Sequence, residues 1–212
     1  RRSRSRTSAE SACAPVSHPL LAAGLGVAST FTSCAVTERT RCSRADRVVS
    51  VRARDVNAGR IRDAAAYAGR MPESPFDQHR YQVRHDWGIE GLRRLAPADV
   101  VVVVDVLRFS TTVTDAVARG ESVRLDADAH AVSINGAAVA DAAAESGAAV
   151  LLGCLRNAAA VARAVLDLQH ERGARTSIAV IAAGELAGRD PGAPLRFAVE
   201  DQLGAGAIID AL

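Results

Sequence analysis

The chain has 212 residues, of which 49% are apolar and 24% charged, proportions of a folded globular domain that exclude a collagen-like or wholly disordered polymer. That length buries a sizeable core without disulfide staples. The formal net charge of +2 averages two unlike pieces: residues 1–70 carry 13 Arg against 5 acids, and residues 71–212 carry 13 Arg against 19 acids. The basic excess is thus confined to the front, and the body carries no basic stripe of the kind a nucleic acid needs. All 26 basic residues are Arg and none is Lys, and aromatics make up only 3%; no single chemistry excludes Lys everywhere, so this pattern reads as codon bias.

Segment 1–70 opens Arg-Arg-Ser-Arg-Ser-Arg and holds three of the four cysteines, Cys13, Cys34 and Cys42. It sustains neither a 3.6 nor a 2 period and is expected to carry little regular structure, apart from one amphipathic helix allowed by Val56, Ile61, Ala65 and Ala68 within Arg44 to Met71. Its apolar stretch Pro19 to Val27 is too short for a membrane span, which takes about 20 residues. An Arg-rich, acid-poor front resembles a targeting leader. A competing expectation makes Met71, the only Met and the point where the charge changes sign, the true start.

The body begins near Phe76. His79 to Arg84 alternates as a strand does, and Trp87 to Leu95 reads as a short amphipathic helix stopped before Pro97. Val100 to Val104 is an unbroken β-branched run, the mark of a strand buried on both faces in a parallel sheet. Asp105-Val-Leu-Arg-Phe leads into Ser110-Thr-Thr and a helix stopped at Gly120. A short strand Ser122–Leu125, an Ala-rich helix from Ala137 to Ser146, a strand Ala149–Leu152, a helix Asn157 to Glu171 and a strand Ser177–Ala182 follow in turn. The loop Ala183 to Leu195 then leads to a final helix from about Arg196. Strands alternating with helices predict an α/β fold: a mostly parallel buried sheet with helices on both faces, occupying residues 76–212 behind the Arg/Ser-rich segment 1–70.

In such a sheet, ligands bind beyond the carboxyl ends of the strands. There the sequence places Asp105, Arg108, Ser110, Thr111 and Thr112, then Cys154, Arg156 and Asn157, then Glu185, with Glu200 and Asp201 on the last helix and Asn135-Gly136 ahead of the Ala-rich one. The carboxylates suit a hard divalent cation, and the Arg, hydroxyl and helix N-terminal donors suit an oxyanion. Each also has a plainer reading. Asp105 can cap the following loop or pair with Arg108, Ser110 to Thr112 can cap a helix, and the remaining acids can be solvated. Cys154 has no His near it in sequence, and the five histidines form no HxxxH or HExxH pattern, so neither thiol nor zinc hydrolysis is indicated. A single body Cys without a disulfide framework agrees with a reduced, cytoplasmic setting.

Taken in order, Val101-Val-Val-Val-Asp-Val-Leu-Arg-Phe-Ser-Thr-Thr-Val-Thr, Ile134-Asn-Gly-Ala, Gly153-Cys-Leu-Arg-Asn-Ala, Ala183-Gly-Glu and Ala198-Val-Glu-Asp-Gln-Leu-Gly-Ala-Gly-Ala resemble the 2-phosphosulfolactate phosphatase family, over residues from about 77 to 212. The resemblance implies an Mg²⁺-dependent phosphatase that converts 2-phospho-3-sulfolactate to 3-sulfolactate and phosphate, a step of coenzyme M biosynthesis. It places Asp105 and Arg108 in the catalytic strand-end motif, Thr111, Thr112, Asn135, Gly136 and Asn157 around the phosphate, and Asp105, Glu185, Glu200 and Asp201 on the Mg²⁺. The implied partner is a small anionic phosphate ester, with no nucleic acid and no membrane; self-association is left open. Two departures stand out. The segment between Leu125 and Ser133 is much shorter than in the family, and relatives continue past the position of Leu212.

Overall fold

The computed structural model describes residues 29–34, 48–52, 74–121, 123–125, 127–188 and 193–212. In chain order the elements are β1 (Ser29–Cys34), β2 (Val48–Arg52), β3 (Val83–Trp87), α1 (Gly88–Arg94), β4 (Val100–Val104), α2 (Phe109–Ala118), β5 (Arg124–Leu125), α3 (Ala127–Val132) and α4 (Gly136–Glu145). These are followed by β6 (Ala149–Gly153), a 3₁₀ turn (Leu155–Asn157), α5 (Ala158–Arg172), β7 (Ile178–Ala182), the short strands β8 (Glu185–Leu186) and β9 (Leu195–Arg196), and α6 (Val199–Ala211). The main sheet runs β3-β7-β4-β6-β2-β1-β5. Its first four strands are all parallel, and β2, β1 and β5 extend it antiparallel from β6.

The valine run forms the centre of the sheet because β-branched side chains pack well on a pleated surface and no polar group interrupts them. All five valines are buried, each worth about 2 kcal/mol against exposure. Alternation sends them to opposite faces. Val101 and Val103 pack with Phe109, Val113 and Val117 of α2 and the alanines of α4. Val100, Val102 and Val104 pack with Val161 and Val165 of α5 and Ile208 of α6. The result is a three-layer α/β sandwich, the fold class expected from the sequence. Helix α5 stops at Gly173, whose φ of 59° is a left-handed cap that glycine adopts without a Cβ penalty.

The elements differ from the sequence reading in four places, one of them helix α3 (Ala127–Val132), an element not expected between the short strand and the Ala-rich helix. The first strand of the body is Val83–Trp87 rather than His79–Arg84, because residues 78–81 form a turn closed by Tyr81 N–H on the Gln78 carbonyl and the register with β7 begins at Val83. Within segment 1–70, residues 29–34 and 48–52 are strands. Val48, Val49 and Val51 give the second of these its β character, and it therefore replaces the start of the helix considered for Arg44 to Met71, the rest of which lies outside the described residues. The loop expected over Ala183 to Leu195 closes with a small hairpin, Glu185 opposite Arg196. No helix among the described residues is long and apolar enough to cross a membrane.

Candidate functional site

Because β3, β4, β6 and β7 are parallel, all four end on one edge of the sheet, and the helices that follow, together with α4, turn their N-termini toward it. Asp105 leaves β4 there, 5% exposed. Its Oδ1 accepts from the backbone N–H of Phe109 at 3.0 Å, and its Oδ2 accepts from the N–H of Gly136 at 3.0 Å and from Ser133 Oγ at 3.5 Å. Asp105 therefore joins the starts of α2 and α4. Gly136 is required for that approach: a Cβ on it would lie 2.3 Å from Asp105 Oδ2 and 2.8 Å from Phe109 Cδ1. Burial pushes the Asp105 carboxyl above its ordinary value, against the pull of these donors, and Glu200 adds to the rise.

Asp201, in the first turn of α6 and 2% exposed, does the same for two other strand ends. Its Oδ1 accepts from the N–H of Val106 at 2.7 Å and its Oδ2 from the N–H of Gly184 at 2.9 Å, so one carboxylate ties the exits of β4 and β7 to α6. Burial, then the charges of Asp105 and Glu200, push its carboxyl up to about 6 despite both donors. The Asp105–Val106 peptide thus stands between two buried carboxylates that repel one another. Among the described residues neither Asp105, Glu200 nor Asp201 has a basic partner.

The remaining residues expected at the site divide into two groups. Arg108 is exposed and makes no ion pair among the described residues, and Thr112 is exposed with its hydroxyl likewise unengaged. Asn135 Oδ1 accepts from the N–H of Leu186 at 3.2 Å, and its Nδ2 has no partner among the described residues. The others are consumed by the scaffold. Ser110 Oγ accepts from Asp105 N–H and donates to the Val103 carbonyl, and Thr111 Oγ1 donates to the Val106 carbonyl at 2.8 Å. Two of the three hydroxyls therefore close the turn and neither caps α2.

Asn157, expected at the phosphate, is 1% exposed. Its Oδ1 accepts from Cys154 N–H at 2.8 Å, while its Nδ2 donates to the Leu152 carbonyl at 3.0 Å and to Thr114 Oγ1 at 3.3 Å. It closes the turn after β6 and ties it to α2. Glu185 stands on the β8–β9 hairpin, 3.7 Å from Arg196 and largely exposed. Cys154 is free and buried.

Ser133 and Gly184 are two residues the sequence reading did not single out. Ser133 also accepts from Ala137 N–H at 3.2 Å, and its spacing just ahead of an Ala-rich helix was a usable sign. Nothing local marks Gly184, whose N–H matters only through Asp201.

Among the described residues no three His, Cys, Asp or Glu side chains converge as a formed metal centre. The donor chemistry nevertheless suits Mg²⁺, which takes one or two carboxylates and fills its other positions with water and substrate oxygens. Asp105 Oδ1 and both oxygens of Asp201 each accept one donor and keep a further lone pair, whereas Asp105 Oδ2 already accepts from Gly136 and Ser133; a cation would relieve the repulsion between the two carboxylates. Of the expected ligands, Asp105, Glu200 and Asp201 lie near enough for their charges to act on one another, whereas Glu185 stands beside Arg196 on the hairpin. Comparison of the chain with protein-family models, with curated proteins and with solved structures finds no match.

Proposed function

We propose that this sheet edge binds a small anionic phosphate monoester together with Mg²⁺ and hydrolyses it, as the resemblance to 2-phosphosulfolactate phosphatases implies. One observation carries the reading: an exposed guanidinium with no acid among the described residues, Arg108, follows three residues after a buried carboxylate with no base among them, Asp105. Two complementary charges without an ionic partner among the described residues, at the exit of a central strand, suit a ligand that brings both signs. Arg108 orients the phosphoryl oxygens through its fork of N–H donors. Thr112 and the Asn135 amide add neutral donors, and the N-terminus of α2 adds its positive end. Mg²⁺ on Asp105, Glu200 and Asp201, when bound, supplies positive charge that polarises the phosphoryl group.

Water is favoured over Asp105 as the attacking group, because both Asp105 oxygens are held by backbone donors and the residue is buried. Its oxygen bonds to phosphorus, the ester P–O bond breaks, and the proton given up by water leaves with the alcohol. A cytoplasmic setting goes with this reading, since Cys154 is a free thiol. The test measures phosphate release from phosphosulfolactate and from generic phosphomonoesters, with and without Mg²⁺. Turnover that needs Mg²⁺ and is lost in Arg108→Ala and Asp105→Asn supports the proposal, and release no faster than from Asp105→Asn removes it.

A second reading, a binder of phosphorylated or sulfonated anions without turnover, is favoured by the commitment of Asp105, Asp201 and Asn157 to backbone clasps. Thermal stabilisation by such anions that depends on Arg108, without release of phosphate, selects it.

A further inference from the structure

Strand β3 is the outer strand of the parallel block, paired among the described residues with β7 alone. Because Ile178 N–H donates to the Gln82 carbonyl, even-numbered residues of β3 face β7 and the odd-numbered ones turn their backbone groups outward. Such a row is an open template for another strand. Here it is occupied at His85 and Trp87. Gln78 Nε2 donates to the His85 carbonyl at 2.8 Å and Gln78 Oε1 accepts from the His85 N–H at 3.1 Å. The Trp87 N–H donates to Asp86 Oδ1 at 2.8 Å, and that carboxylate is in turn held by Arg94 at 3.0 and 3.3 Å. A carboxamide carries one acceptor and two donors, so Gln78 meets His85 with the same pair of bonds a neighbouring strand would make. Gln78 also has a φ of 54°, the left-handed conformation that non-glycine residues adopt at a cost; it is the one non-glycine with positive φ among the described residues.

We infer that Gln78, with Asp86 and Arg94, is a guard that closes the β3 edge to strand addition by a second copy of this chain. The turn at Gln78 holds the carboxamide against His85, the middle residue of the strand. Any self-association of the native protein then uses another surface.

Sedimentation over a concentration series, with amide exchange, tests this on the full chain. Gln78→Gly removes the carboxamide and relieves the positive φ, so it separates the guard from backbone strain. The expected result is concentration-dependent self-association of Gln78→Gly, with exchange at the His85 amide faster by roughly fivefold. The double variant Gln78→Gly/His85→Pro should return to the wild-type sedimentation, since Pro is tolerated where an edge N–H faces outward. Gln78→Gly sedimenting as wild type, or the double variant associating equally, overturns the inference. If Gln78→Gly fails to fold, the wild-type protein decides. His85 and Trp87 amides exchanging well below the random-coil rate support the guard, and exchange at that rate overturns it.

Discussion

Asp201 offers a prediction in which stability, pH and the proposed cation meet. Folding moves its carboxyl from an ordinary value of 3.8 to about 6. The folded state therefore holds a proton between those pH values that the unfolded chain has lost, and stability must fall as pH rises through the window. At about 1.4 kcal/mol per pH unit, the loss is about 2 kcal/mol between pH 4 and pH 7. Asp105 moves in the same direction, whereas Asp99, despite its partial burial, is held low by the Ser177 N–H and hydroxyl and by Arg172 and opposes it, so the wild-type profile alone is a sum.

Asp201→Asn isolates the group. Its amide cannot titrate, and it turns an N–H₂ toward one of the two backbone donors now at 2.7 and 2.9 Å, leaving that donor unpaired at a cost of about 1–3 kcal/mol. Urea unfolding of both proteins from pH 4 to pH 7 should show the wild-type advantage shrinking by about 2 kcal/mol as pH rises. A constant difference across that range would refute the claim that burial and neighbouring acids raise this carboxyl. Mg²⁺ added at pH 7 should restore much of the wild-type stability and move Asp201→Asn less; equal shifts would detach Asp201 from the cation.

Two further outcomes follow from the packing. Gly136→Ala places a methyl 2.3 Å from Asp105 Oδ2 and should cost about 3 kcal/mol through overpacking and a lost charge-assisted bond. By contrast, Gly206→Ala, exposed in α6 with nothing within 4 Å of a new Cβ, should gain up to about 1 kcal/mol from helix propensity; thermal melts showing the same sign for both would contradict the close approach at Gly136. Arg84→Lys should cost about 2 kcal/mol or more in urea unfolding. The guanidinium of Arg84, 6% exposed, donates to the carbonyls of Tyr81, Ala96, Pro97 and His79, and a single ammonium cannot reach all four; a cost below about 0.5 kcal/mol would show that these contacts carry little.

What the sequence by itself determined was the layered α/β architecture. Five consecutive valines, alternating apolar helices and glycine stops are local patterns, and burial on two faces follows from them whatever the neighbours are. The sequence also placed Asp105 and Arg108 at a strand exit, because a polar residue directly after a buried run has nowhere else to go. Tertiary structure decided which polar atoms were left for a ligand. Asn157 and Arg108 look equally available in the chain, yet one has its amide engaged by Cys154, Leu152 and Thr114, while the other has no partner among the described residues.

The pairing of Asp201 with Val106 and Gly184, the closeness of Asp105, Glu200 and Asp201, and the closure of β3 by Gln78 join residues that only the fold brings together. The strands at 29–34 and 48–52 belong with these. Their own residues suffice for extended backbone, but their place in the sheet depends on the open side of β6. Hydrophobic periodicity is written along the chain, whereas hydrogen-bond partnership is settled across it, which is why the core was legible from residues alone and the division between scaffold and site was not.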